Sequence, residues 1–371
     1  MLFGPRGTGK STFLRRRFTN RNAMWLDLLD PEQEDRYARR PAELAEHLRA
    51  TASPPEWVVI DEVQKVPRLL DVVHAEIERG VVKFALTGSS ARRLKRHDTN
   101  LLAGRASVYH LFPFTATELG DAFSLDSALR FGTLPGLQNC TTEADRNAFL
   151  RAYALTYLKE DIWAEHLVRV LDPFRRFLDV SAQVNGEVVN YTNIARDVGA
   201  DVKTVQSYFQ ILEDTLVGFP LEPFHRSVRK RQTHALKFYL FDPGVRRALA
   251  RMLTLDLLPG TGEHGRAFEH FIVVEALRRS AYLQNDYAFS YLRTKDGAEV
   301  DLIVERPGMA MALVEIKSKD RVDERDTRSL ERFLADMPEA QGLCLSRDPV
   351  AKLIGNVRAL PWNEGLRELG L

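Results

Sequence analysis

The sequence predicts a multidomain α/β protein with a parallel-sheet core at its N-terminus, a helical middle region and a second, smaller α/β unit at its C-terminus. Three observations carry that prediction. Short continuous apolar runs alternate with helical stretches in the first third, the pattern of parallel strands covered on both faces. From about Glu143 the pattern turns helical. After a Gly- and Leu-rich stretch at Thr254–Gly265, strand-like runs return. The length, 371 residues, suits two or three domains at roughly 100–200 residues each. We expect boundaries near 1–135, 136–253 and 254–371.

In the first third, Trp25–Leu28, Trp57–Ile60 and Val81–Leu86 read as buried strands, and Pro41–Arg49 and Arg68–Glu78 as the helices between them. In the middle, Arg146–Trp163 reads as one long amphipathic helix and Pro173–Val184 as another. Val189–Phe209 reads as two short helices joined at Gly199, with Thr192 and Asp201 as N-caps. Strands at Leu216–Leu221 and Leu236–Phe241 follow, which is the order of a winged helix. In the last third, Arg266–Arg279 is a helix. Strands are expected at Phe289–Leu292, Glu299–Glu305 and Met311–Lys317, then a helix at Asp323–Leu334 and a last strand at Gly342–Leu345.

Composition narrows the function classes. Hydrophobic residues make up 44% and charged residues 28%, as in soluble globular proteins, and the net charge is only +1. Two cysteines, Cys140 and Cys344, are too few for a disulfide framework or a cysteine-rich zinc cluster and fit a reducing cytoplasm. No apolar run is long enough to span a membrane, and the N-terminus does not read as a signal peptide.

The strongest chemical signal is Gly4-Pro5-Arg6-Gly7-Thr8-Gly9-Lys10-Ser11, followed by Thr12. It fits the phosphate-loop pattern, in which glycines let backbone N–H groups curl around phosphates and the following helix points its positive end at them. Lys10 is expected to reach the β- and γ-phosphates of ATP and Ser11 to ligate Mg²⁺. Trp57-Val-Val-Ile-Asp61-Glu62 ends an apolar strand in two carboxylates. Asp61 is expected to support Mg²⁺ and Glu62 to activate the attacking water. Phe84-Ala-Leu-Thr87-Gly-Ser89-Ser90 ends a third strand in hydroxyls. Ser89 is the expected γ-phosphate sensor, with Thr87 and Ser90 as alternatives. Arg105 follows a basic stretch and suits an arginine finger acting on a neighbouring subunit.

These motifs resemble the AAA+ ATPases that pair an "AAA domain 14" with the domain of unknown function DUF4143. Leu86-Thr-Gly-Ser-Ser, Leu102-Ala-Gly-Arg105 and Leu111-Phe-Pro-Phe-Thr-Ala-Thr-Glu118-Leu carry the resemblance in the first half. Tyr157-Leu-Lys-Glu-Asp161, Asn190-Tyr-Thr-Asn-Ile-Ala, Lys237-Phe-Tyr-Leu-Phe-Asp242-Pro-Gly and Gly265-Arg-Ala-Phe-Glu269 carry it in the second. The resemblance implies an oligomeric ATPase, expected as a hexamer, with a P-loop AAA+ core, a winged-helix segment and a nuclease-like C-terminal domain. It also places the core close to branch-migration ATPases, which makes branched DNA the expected substrate. One departure stands out: only Met1-Leu2-Phe3 precede Gly4, where the family has a longer strand and an adenine-contacting segment. The expectation is a later start than the gene's own, or a curtailed base pocket.

The last third has its own constellation. A hairpin centred on Gly308 places Asp301 opposite Glu315, about 5 Å apart between Cβ atoms, with Lys317 on the face of Glu315. With Glu269 on the preceding helix, these carboxylates form an expected Mg²⁺ site resembling the PD-(D/E)xK nuclease pattern in Asp301, Glu315 and Lys317. The densest basic run, with Arg226, Arg229, Lys230 and Arg231, falls where a wing would touch a DNA backbone. Two other functions fit the same residues: a signalling ATPase with a protein partner, and an ATP-gated, metal-dependent nuclease.

Overall fold

The computed structural model describes residues 1–89, 105–157, 171–225, 235–294 and 296–371. It divides into two compact units: Met1–Pro113 with Ile211–Val217, and Phe114–Gln210 with Gly218–Leu371.

The first unit is built on a five-stranded parallel sheet. Its strands are β1 (Leu2–Phe3), β2 (Ala23–Asp27), β3 (Trp57–Asp61), β4 (Lys83–Gly88) and β5 (Tyr109–His110), in the order β2-β3-β4-β1-β5. Along β3, Val58 and Ile60 enter one core with Leu26, Leu69 and Leu86, while Val59 enters another with Leu2, Leu14 and Phe18. Both faces are covered, which is why the strand reads as an unbroken apolar run. Helices α1 (Lys10–Phe18), α2 (Pro31–Arg39), α3 (Glu43–Ala50) and α4 (Leu69–Arg79) surround it. The sequence pattern missed α2. Its start is nonetheless well marked, because Pro31 opens the helix and the Asp30 carboxylate accepts the N–H of Glu32.

The second unit opens with short helices α5 (Ala116–Leu119) and α6 (Leu125–Phe131) and then α7 (Glu143–Ala152). Helix α7 passes into a π-turn at Tyr153–Tyr157, shorter than the single expected helix, whose remainder lies outside the described residues. Helices α8 (Leu171–Gln183), α9 (Tyr191–Val198) and α10 (Val202–Asp214) follow, α10 from Ile211 onward being counted with the first unit. The cap of α9 is Asn190 rather than Thr192: its side-chain oxygen accepts the N–H of Asn193 at 3.1 Å. Asp201 accepts the N–H of Thr204 at 2.9 Å, as a cap should.

Strands β6 (Gly218–Pro223) and β7 (Lys237–Leu240) pair antiparallel, and helix α11 (Pro243–Leu249) follows. Next come the long α12 (Gly262–Leu283), strands β8 (Ala288–Arg293), β9 (Glu299–Glu305) and β10 (Ala312–Lys317), helix α13 (Glu324–Asp336) and strand β11 (Gln341–Ser346). Three short elements lie beyond the last strand the pattern predicted: β12 (Lys352–Ile354), β13 (Val357–Pro361) and α14 (Trp362–Glu368). All eight strands form one mixed sheet, β12-β13-β11-β10-β9-β8-β6-β7. The expected hairpin of a wing is thus the edge of this sheet, joined by parallel pairing of Glu222 and Pro223 with Ser290 and Tyr291.

A buried polar node ties this unit together. Asp242 is fully buried and accepts the N–H groups of Thr133, Gly244 and Val245 at 2.9 to 3.1 Å. Arg278, 1% exposed, lies 3.8 Å from it and donates to Phe241 O and Thr133 Oγ1. Burial raises the Asp242 carboxyl above its ordinary range, and Arg278 pulls it back. The Asp-Pro-Gly turn of the sequence is the cap of α11.

Candidate active site

The turn after β1 and the start of α1 form a cradle. Gly7 and Gly9 have φ of 76° and 90°, a backbone open to glycine without penalty. A Cβ on Gly4 would lie 2.1 Å from Leu111 O, so only glycine fits there. Thr8 Oγ1 donates to Pro5 O at 2.9 Å and fixes the loop. The Lys10 ammonium, 5% exposed, donates to the carbonyls of Gly4 and Pro5 at 2.9 and 3.2 Å. Ser11 and Thr12 stand in the first turn of α1, whose N-terminus supplies partial positive charge. The donor set fits a polyphosphate.

Asp61 and Glu62, the carboxylates expected beside the loop, stand at the end of β3. Glu62 lies 3.9 Å from Lys10 Nζ. Its φ is +58°, a left-handed conformation unusual outside glycine. A hydroxyl holds it there. Thr87, fully buried at the end of β4, accepts the Glu62 N–H at 3.0 Å and donates to Asp61 Oδ1. Ser89, the expected sensor, is joined to the same group through Gln64, whose Nε2 donates to Ser89 Oγ at 2.9 Å and to Glu62 Oε2. Gln64 was given no role from the sequence. Its signal was its place two residues beyond Glu62, in the 3₁₀ turn Val63–Lys65, which points it back at β4. The structure thus brings Lys10, Asp61, Glu62, Thr87 and Ser89 together at one end of the parallel sheet. Asp61 and Ser11 are the groups suited to Mg²⁺.

Arg105 is 44% exposed and ion-paired with Glu78 at the end of α4. Ser90, Arg226, Arg229, Lys230 and Arg231 lie outside the described residues.

In the second unit, β9 and β10 pair Val304 with Ala312, Ile303 with Leu313 and Leu302 with Val314. That is the register of a hairpin centred on Gly308, and it sets Asp301 opposite Glu315. Asp301 Oδ2 accepts the Ile316 N–H at 2.7 Å, and Lys317 pairs with Glu315. Burial, then the Glu315 and Glu269 carboxylates, push Asp301 well above the carboxylate range. Burial likewise raises Glu315, against the pull of Lys317.

Glu269 is engaged otherwise than expected. Its Oε1 accepts from Tyr239 at 2.7 Å and from Lys237 at 3.3 Å, and Lys237 also pairs with Glu299. Burial lowers the Lys237 ammonium's affinity for its proton, but Glu269 and Glu299 more than offset that. Two protein ammoniums, Lys237 and Lys317, therefore offset part of the cluster's charge from within. Among the described residues, no group of three His, Cys, Asp or Glu side chains could hold a metal ion. At the expected Mg²⁺ site, Asp301 serves the Ile316 N–H, Glu315 serves Lys317, and Glu269 serves Lys237 and Tyr239, so protein donors stand where the metal was expected.

No described helix is long and apolar enough to cross a membrane. Residues 1–120 match the family described as AAA domain, residues 122–256 a domain of unknown function (DUF8612), and residues 264–364 a domain of unknown function (DUF4143). Two curated proteins are similar: Uncharacterized protein Rv2008c of Mycobacterium tuberculosis and Uncharacterized protein Mb2031c of Mycobacterium bovis. Each is 29% identical over 314 residues, which is 83% of this chain and 68% of the relative. Among solved structures, the ORC1 protein of Aeropyrum pernix in complex with DNA is similar at 13% identity, covering 67% of this chain and 85% of that one. Its TM-score of 0.33 is too low to carry an argument.

Proposed function

We propose that this chain, whose residues 1–120 match an AAA domain and 264–364 a DUF4143 domain, is an ATPase that couples Mg²⁺-dependent hydrolysis to conformational work on DNA, as a ring-like homo-oligomer. The observation that carries the ATPase part is the convergence of Lys10, Asp61, Glu62 and Thr87 at one end of the parallel sheet. Gly4, Pro5, Arg6, Gly7, Thr8, Gly9 and Thr12 form the phosphate cradle, and Lys10 exchanges its two loop carbonyls for phosphate oxygens. Ser11 and Asp61 hold Mg²⁺, which when bound neutralises phosphate charge. Glu62 takes the proton of the attacking water while Thr87 holds its backbone in place. Ser89 senses the γ-phosphate through Gln64. Arg105 exchanges Glu78 for the nucleotide of a neighbouring subunit, and the ring is a hexamer.

The DNA reading rests on the α9–α10 helix pair, on the hairpin that follows it, and on the basic residues Arg226, Arg229, Lys230 and Arg231 between the hairpin strands. We assign the ATPase core to 1–135, the helical and winged-helix region to 136–253 and the C-terminal domain to 254–371. Branched DNA is the proposed substrate class. The test is binding of labelled duplex, single-stranded and four-way-junction DNA by Glu62→Gln with ATP, over rising salt. The proposal expects tightest binding to the junction. Each phosphate contact should contribute about −0.9 to the slope of log K against log salt on duplex DNA. Absence of binding at low salt, with ATP bound, would point instead to a protein partner.

A further inference from the structure

We propose that the C-terminal carboxylate cluster is completed by Lys237 and Tyr239, and that the Lys237 ammonium occupies in it the position of a divalent metal ion. Sequence position hides this arrangement. Lys237 opens β7, at the far edge of the sheet, while Glu299, Asp301 and Glu315 lie on β9 and β10. The fold nevertheless carries its side chain to Glu299 and to Glu269 of α12.

Three observations make the ammonium a resident of the site and not a surface partner. Lys237 is 3% exposed. Its Nζ pairs with Glu299 and lies 3.3 Å from Glu269, while the ring of Tyr291 stands 5.5 Å away as a third wall. Tyr239 then donates its hydroxyl to the same Glu269 oxygen that accepts from Lys237. On the opposite side of the cluster, Lys317 serves Glu315 and the Ile316 N–H serves Asp301. One carboxylate oxygen, Glu315 Oε2, is buried without a partner among the described residues.

A hard divalent ion asks for about six oxygen ligands in near-octahedral array. Drawing Glu269 and Glu299 onto such an ion would leave the buried Lys237 ammonium unpaired, which is costly. The lysine and the metal are therefore mutually exclusive. A cavity of about 430 Å³ opens on this side of the cluster, lined by Lys237, Tyr239, Arg266, Glu269, Arg293 and Glu299 among others. Water and ions can reach the carboxylates from it, so exclusion follows from occupancy and not from lack of access.

The test is thermal unfolding of the full-length, nucleotide-free chain across a Mn²⁺ titration, with NaCl at matched ionic strength as control. Wild type is expected to show no saturable rise in Tm that depends on Glu315, any response of the Ser11 and Asp61 site being the same in Glu315→Gln. Lys237→Met should acquire one, because Glu269 and Glu299 then lack a cation, and Lys237→Met with Glu269→Gln should lose it again. Lys237→Gln serves as the second variant should the methionine chain fail to fold. A saturable Mn²⁺ response in wild type that Glu315→Gln abolishes would overturn the proposal, as would a folded Lys237→Met or Lys237→Gln that stays blind to Mn²⁺. Should neither variant fold, the comparison of wild type with Glu315→Gln decides, identical Mn²⁺ responses upholding the proposal.

Discussion

Replacing Thr87 by valine removes one hydroxyl and almost no volume. That hydroxyl is fully buried, donates to Asp61 Oδ1 and accepts the Glu62 N–H at 3.0 Å. Two polar groups therefore lose their partner at once, the buried Asp61 carboxylate and the half-buried Glu62 N–H. At about 1–3 kcal/mol for each, Thr87→Val should destabilise the N-terminal unit by about 2–6 kcal/mol. Glu62 also sits in the left-handed region, which costs about 1–2 kcal/mol and needs a restraint to persist. Freed of the Thr87 bond, Glu62 can relax and swing its carboxylate away from Lys10. If about 1.4–2.7 kcal/mol of that loss falls on the transition state, hydrolysis slows by about 10 to 100-fold. Thr87→Ser keeps the hydroxyl and should hydrolyse near the wild-type rate. Steady-state phosphate release, with nucleotide affinity from equilibrium titration, separates the loss of rate from the loss of binding. Wild-type turnover in a folded Thr87→Val would refute the bridging role.

Three other outcomes are expected. Glu62→Gln should keep ATP binding while slowing phosphate release by about 10²–10⁴, and mixing it with Arg105→Ala should restore part of the activity if subunits exchange and the arginine acts in trans. Asp242→Ala should cost the C-terminal unit about 3–5 kcal/mol in urea unfolding, because it strips a helix cap and leaves Arg278 buried beside no carboxylate. His270 is fully buried, and burial lowers its pKa to about 3 despite the Leu240 carbonyl at 2.5 Å. The unfolded chain then binds the extra proton first, so stability should fall as pH drops from about 6.5 toward 3, by about 1.4 kcal/mol per pH unit; His270→Asn should flatten that slope.

The sequence exposed what periodicity and spacing encode. β2, β3 and β4 were legible because a sheet covered on both faces demands continuous apolar runs, and the β9–β10 register was legible because the turn at Gly308 fixes it by counting. Helix α2 was missed because its mean character is polar, with one buried residue, Tyr37. Strands β12 and β13 were missed because three- and five-residue strands at a sheet edge carry little pattern. In the sites, the phosphate-loop residues and their carboxylates lie in contiguous motifs, whereas Gln64 acts by linking Glu62 to Ser89, and Thr87, an alternative sensor in the sequence, bridges Asp61 and the Glu62 N–H across strands. Lys237 was least legible of all. Its partners lie 32 and 62 residues away in sequence, at Glu269 and Glu299, and only the joining of β6 to β8 brings that hairpin to them.

The central claim is hydrolysis of ATP at the Lys10–Glu62 site in response to DNA, and the direct measurement is ATP turnover by wild type and Lys10→Ala with and without four-way-junction DNA. The account predicts a wild-type rate that rises with junction DNA, falls back as salt releases the DNA, and vanishes in Lys10→Ala. A wild-type rate indifferent to DNA at low salt, or turnover that survives Lys10→Ala, would contradict it.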